Sequence, residues 1–266
     1  MLTNPSQSIS LDVDLTLRAG WALFKASFFA CLPLAVLGIC AGGAPQALAA
    51  ATHRSYDLQW WLAYGLGSLV MLACYAAIIL RQHALRIGVR ASTLSCLARA
   101  VRRLPALVLN SVLAFVVMVL GLVMLVIPGL VISNYLLLAW PALLCEERGP
   151  LDALLRSWQL VSGNFWRMGK LLTIATMGLL VFVILAGVFA GVLLVVAQAG
   201  GASMIPDAQG GLSIGSVATV VLALMLAPPV LYTCAIIVAA YVSLSADGLS
   251  APSTVPITRS ARPSPS

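Results

Sequence analysis

The sequence predicts an all-α integral membrane bundle of about six transmembrane helices, with interfacial amphipathic helices on one side. Three observations carry this prediction. Hydrophobic residues make up 61% of the 266-residue chain and charged residues only 9%, whereas soluble domains carry roughly 25% charge. With a mean hydropathy of +1.04, the chain has too little polar surface to face water, so its solvent is lipid. Finally, the cations gather between the apolar runs, where they meet anionic headgroups and fix orientation.

The elements follow in chain order. Residues 1–16 are polar to mixed, with Asp12 and Asp14 and no cation. LRAGWALFK then leads into a first apolar span at 26–44. The continuation APQALAAA, with Ala47 and Ala49, imitates a signal-peptidase site. About 25 residues precede the apolar core, nearly the length of a whole leader, so the span is expected to be retained. A second span, 60–80, begins at Tyr56, Trp60 and Trp61, aromatic residues that favour the membrane interface because an apolar body carries a polar edge. Residues 81–103 hold six arginines and His83.

A third span at 104–127 is punctuated by Pro128-Gly129, and the apolar run resumes at Leu130, so one Pro-Gly pair is expected to make the turn. The fourth span, 130–145, is short and contains Asn134 and Pro141. After a charged connection at 146–170 come a fifth span at 171–197, a glycine-rich loop, and a sixth span at 214–243. Pro228-Pro229 in the sixth removes two backbone donors and is expected to kink or break it. The membrane domain thus covers 1–245, and the Ser/Pro-rich segment 246–266 is predicted to be a disordered cytoplasmic tail.

Charge placement predicts the topology. Fourteen of the fifteen lysines and arginines fall on one side of this layout, with Arg54 alone on the other. The positive-inside rule then places both termini in the cytoplasm, with six crossings. A basic chain can also bind nucleic acid, but no stretch is long enough to form a separate basic domain. The expected partners are therefore anionic membrane lipids, with no nucleic acid.

The cytoplasmic segments resemble one another. LDALLR at 151–156 and LSCLAR at 94–99 share Leu, Leu and Arg at the same offsets, and WALFKASFF at 21–29 aligns without gaps to WQLVSGNFW at 158–166. A threefold unit of interfacial helix plus helical hairpin would account for this. The segment 150–161 reads as an amphipathic helix, with Pro150 at its first position and Asp152 able to reach Arg156 four residues on. Leu151, Leu154, Leu155, Trp158 and Val161 fall on one face, and Gly163 offers a stop. Such a helix is expected to lie in the inner-leaflet interface. Arg99, Arg102, Arg103, Arg156, Trp158, Trp166 and Arg167 are therefore the candidate lipid or partner contacts.

No Asp, Glu, His, Lys or Arg stands at mid-depth in the predicted spans, which argues against an ion-coupled pump. The polar residues there hydrogen-bond helix to helix, or else Asn110, Asn134 and Thr233 line a cavity made by interrupted helices. Gly38-xxx-Gly42 and Gly187-xxx-Gly191 have the spacing for close helix packing. Six cysteines without a CxxC pair read as small apolar residues. His53 and His83 lie on opposite sides of the predicted membrane, Glu146 and Glu147 beside Arg148 read as a solvated helix boundary, and no hydrolase, metal or nucleotide motif is present. The expectation is a protein that is not an enzyme and uses no cofactor and no metal.

Pro128-Gly129, Glu146, Leu154, Ser157, Trp158, Leu160, Gly163, Trp166 and Arg167 form a pattern: a Pro-Gly turn, an apolar span ending in an acid, then LxxSWxLxxGxxWR. Over about 45 residues it resembles inner-membrane proteins of the YciC type and the membrane domain fused to some bacterial glycerophosphodiester phosphodiesterases. The resemblance implies a six-helix architecture and an inner-membrane location. It does not imply phosphodiester hydrolysis, since no stretch here could hold that enzyme's catalytic domain. The functional expectation is a scaffold or accessory component acting through its interfacial helices. The alternative is a transporter or permease-like protein for a neutral or lipidic substrate.

Overall fold

The computed structural model describes residues 11–52, 57–89, 91–124, 126–199 and 214–245. The fold is an all-α bundle, with no strand among the described residues. The helices are α1 (Val13–Thr52), α2 (Leu58–Arg86), α3 (Thr93–Arg102), α4 (Leu104–Met124), α5 (Val126–Leu136), α6 (Ala139–Cys145), α7 (Pro150–Ser162), α8 (Phe165–Ala199) and α9 (Ile214–Leu244). Among the described residues, five stretches are long and apolar enough to cross a membrane: Val13–Gly43, Leu58–Arg86, Leu104–Gly121, Phe165–Val192 and Val221–Leu244. The expected tail at 246–266, the glycine-rich loop from residue 200, and Arg54 with His53 lie outside the described residues.

At the centre α1, α2 and α9 pack against one another. Small residues let the backbones approach: Ala35, Ala76, Ala77 and Ala235 are fully buried. Gly38 faces Cys74 and Gly42 faces Met71 across the α1–α2 seam. Gly67 of α2 lies directly against the carbonyl oxygen of Ala41, leaving no room for a side chain. Gly187 and Gly191, at the same spacing on α8, meet nothing within 4 Å among the described residues. Gln82 ties the three helices together, donating from Nε2 to Ser27 Oγ at 3.3 Å and to the Leu231 carbonyl at 3.1 Å.

Helix α1 differs from the expected layout. WALFK and the apolar span 26–44 form one uninterrupted 40-residue helix. Nothing between Leu17 and Leu32 breaks a helix except Gly20, and that glycine is needed for packing: a Cβ there would come within 3.3 Å of the Ile236 backbone on α9. Trp21 and Phe24 then meet the Tyr232 ring edge-on, each at 5.8 Å. The Asp12 carboxylate starts the helix, accepting from the backbone N–H of Asp14 at 3.0 Å and of Leu15 at 3.2 Å. The first arm of the proposed threefold unit is thus continuous with its crossing helix, whereas α3 and α7 stand as separate short helices.

The region 130–145 departs from a single fourth span. It is two short helices, α5 and α6, interrupted at Leu137-Leu138, and the interruption is held from outside, as described below. Pro128-Gly129 does not itself form the reversal: both residues lie inside α5, where the first turn tolerates a proline because its N–H needs no partner there. Gly129 lets α5 come close to Gly121 of α4. Pro228-Pro229 does not end α9, which runs helical through both. Pro229, Ala227 and Leu231 are all buried, so surrounding helices hold the two turns in line.

Candidate functional site

The most heavily cross-linked region lies where the interruption between α5 and α6 meets α7 and the last turns of α9. A break in a helix frees backbone groups, and at membrane depth these require partners from the protein. Ser157 of α7, itself fully buried, supplies one hydroxyl for both needs. Its Oγ donates to the Tyr135 carbonyl at 2.6 Å and accepts from the Leu138 N–H at 3.1 Å. The next residue fixes the angle: the Trp158 ring stacks on Tyr135 with centroids 4.0 Å apart. Asn134, one residue before Tyr135, donates from Nδ2 to the Phe165 carbonyl at 3.1 Å, securing the turn between α7 and α8. That turn also anchors the start of the described chain, since Asn164 Oδ1 accepts from the Leu11 N–H at 3.0 Å.

Glu146, at the end of α6, is a second hub. Its Oε1 accepts from the Tyr241 hydroxyl at 2.6 Å and from Arg156 Nε at 3.3 Å, and its Oε2 accepts from Arg148 Nε. Burial pushes the carboxyl toward its neutral form, but the Tyr241 hydroxyl and the two guanidiniums outweigh that and hold it below the usual carboxylate range. The Glu146 side chain is 17% exposed. It is therefore a half-buried junction rather than the expected solvated boundary. Arg156 turns to Glu146, and no Asp152–Arg156 pair forms among the described residues. Glu147 does face outward. With its backbone in the left-handed region at φ 53, it presents both its carboxylate, at 3.1 Å, and its carbonyl, at 3.4 Å, to Arg103. The His83 ring lies 6.0 Å from that of Tyr241, which brings α2 to the same point.

Below this polar layer is a recess of about 380 Å³ between α2, α8, α9 and the interrupted helix. Tyr75, Ile79, Leu137, Trp140, Pro141 and Thr233 are among its walls. Thr233 directs its hydroxyl to the Pro229 carbonyl at 2.9 Å, so the surface it offers is mostly apolar.

The candidate residues from sequence scatter around this centre. Of the expected cavity set, Thr233 lines the recess, while Asn110 and Asn134 do not. Asn110 is fully buried on α4, with neither amide atom hydrogen-bonded among the described residues. Arg99, Arg102 and Arg167 are exposed, and Trp166 is 80% exposed. Arg103 and Arg156 are drawn into the pairs above. The α7 face divides: Val161 is buried, Leu154 half-buried, and Leu151, Leu155 and Trp158 stand exposed in a stripe. Sequence reasoning passed over Tyr241 and Gln82, and it gave Ser157 no role beyond the motif. Tyr241 is a lone polar group in an apolar run, whereas Gln82, between Arg81 and His83, and Ser157, after Arg156, sit in polar sequence that hides them.

All six cysteines are free, and no group of His, Cys, Asp or Glu able to hold a metal ion occurs among the described residues. The chain matches no family model, no curated protein and no solved structure.

Proposed function

We propose that the protein is a non-enzymatic, multi-pass component of a bacterial inner membrane, a scaffold or accessory protein. In this reading it contacts anionic lipid through α3 and α7, acting as amphipathic helices on the cytoplasmic face, where both termini also lie. One observation carries it: the exposed stripe of Leu151, Leu155 and Trp158 on α7, matched on α3 by exposed Leu94 and Val101 beside Arg99 and Arg102. Large apolar side chains next to cations suit the boundary between headgroups and acyl chains. The resemblance to YciC-type proteins through Ser157, Trp158 and Gly163 favours the same location.

The test is lipid co-purification. Replacing both Arg99 and Arg102 with Gln removes two exposed cations, and each should lower the preference for anionic over zwitterionic lipid by about fivefold. An unchanged ratio of phosphatidylglycerol to phosphatidylethanolamine around the double variant would remove the lipid-contact reading.

A second reading, a permease-like protein for a neutral or lipidic substrate, is favoured by the recess at the α5–α6 interruption. Broken helices that line a cavity are the usual substrate sites of secondary transporters. Uptake by reconstituted vesicles would separate the two readings.

A further inference from the structure

The recess and the polar layer above it lie on the same helical faces. On α2, Ile79 lines the recess and His83 stands one turn beyond it; on α9, Ile237 lines it and Tyr241 stands one turn beyond. On α6, Trp140 and Pro141 line it, and Glu146 follows at the helix end. One turn is about 5.4 Å. Three helices thus pass from apolar wall to polar cap within two turns. The cap is connected, with His83 against Tyr241, Tyr241 bonded to Glu146, and Glu146 shared by Arg148 and Arg156. Two guanidiniums share this one carboxylate, which leaves donors on both for a further acceptor. Arg148 is 44% exposed and presents its free donors outward.

We propose that this is a binding site for one anionic phospholipid, with an acyl chain in the recess and the phosphate at Arg148 and Arg156. Several features of the site select that occupant. From Val230 to Ile237 the recess follows α9 for roughly 10 Å at 1.5 Å per residue, a slot longer than a compact solute requires. Its volume of about 380 Å³ falls within the ~300–1,000 Å³ of small-molecule pockets. Its walls are apolar apart from a few side-chain atoms, and the Thr233 hydroxyl is already engaged. The helix interruption at Leu137-Leu138 borders it, with Leu137 on one side and Trp140 on the other among its walls. An apolar slot inside an apolar bundle is solvated by acyl chains, and the cationic rim chooses among headgroups. The site is distinct from the exposed stripe of α3 and α7 and depends only on the chain lying in a bilayer.

The test uses the intact protein reconstituted with phosphatidylglycerol that carries a photoreactive diazirine in one acyl chain. The expected result is saturable labelling of Tyr75, Trp140 or Thr233, competed by unlabelled phosphatidylglycerol about fivefold better than by phosphatidylcholine. Arg148→Gln should remove that preference. Arg99→Gln with Arg102→Gln should leave it intact, so loss of the lipid-contact reading would not touch this site. Labelling spread without saturation over outward residues such as Phe115 and Phe182 would overturn the proposal. So would equal competition by the two headgroups.

Discussion

Ser157 and Leu138 are joined by a 3.1 Å hydrogen bond from the Leu138 N–H to the Ser157 hydroxyl, and both residues are fully buried. The bond lets an apolar segment stop being helical without leaving a donor bare. Ser157→Ala should therefore lower stability by about 1–3 kcal/mol, the cost of an orphaned buried group. Thermal unfolding in detergent reads this directly, and a midpoint equal to wild type would show that the interruption is held by other contacts.

Glu146 should give the fold an acid limit. Its folded-state pKa lies below the ordinary 4.5, so its contribution is complete above that value and is lost as pH falls through the lower, folded value. Detergent melts from pH 7 to pH 3 should show a falling midpoint below about pH 4.5, and Glu146→Gln should flatten that part of the curve. A variant with an undiminished acid slope would assign the transition to other carboxylates.

Two glycine substitutions should differ sharply. Gly67→Ala places a methyl group against the Ala41 carbonyl oxygen, where the backbone cannot yield cheaply, and should cost about 1–3 kcal/mol as overpacking. Gly187→Ala meets nothing within 4 Å among the described residues and should leave the midpoint unchanged or slightly raised. Equal effects at the two sites would contradict the α1–α2 seam described above.

The proposed orientation predicts opposite signals from reporters fused after Ser55 and after Gly149, periplasmic for the first and cytoplasmic for the second. Matching signals would reject the assignment drawn from arginine placement.

Much of the architecture was legible because lipid imposes simple rules. Apolar length pointed to α2, α4, α8 and α9, whose spanning stretches differ from the sequence-read spans by up to seven residues at one end. Pro150, Asp152 and Gly163 framed α7, which indeed begins at Pro150 and is capped by Gly163. The failures share one cause, which is that tertiary partners decide what local sequence leaves open. Pro228-Pro229 signals a kink or a break, and of the two the break does not occur, because packing carries α9 through. Leu137-Leu138 signals nothing, yet the helix stops there because a serine nineteen positions away accepts the freed N–H. Gly38-xxx-Gly42 and Gly187-xxx-Gly191 look alike in sequence, and only a facing helix tells them apart. The same holds for the site. Arg99 and Arg102 could be anticipated as exposed cations, but the Glu146 junction needs Tyr241, 95 positions later, to be seen.

The seam between α1 and α9 joins residues that leave the ribosome far apart in time. Gly20 emerges early, whereas Ile236, which it packs against, comes more than two hundred residues later. Leu11 likewise waits for Asn164. During biosynthesis α1 and α2 can pair at once through Gly38, Gly42 and Gly67, but the face prepared for α9 must be covered meanwhile by lipid or by the insertion machinery. A chain cut short before α9 would keep its first hairpin and lose its closure, making the last helix the step that commits the whole protein to its final form.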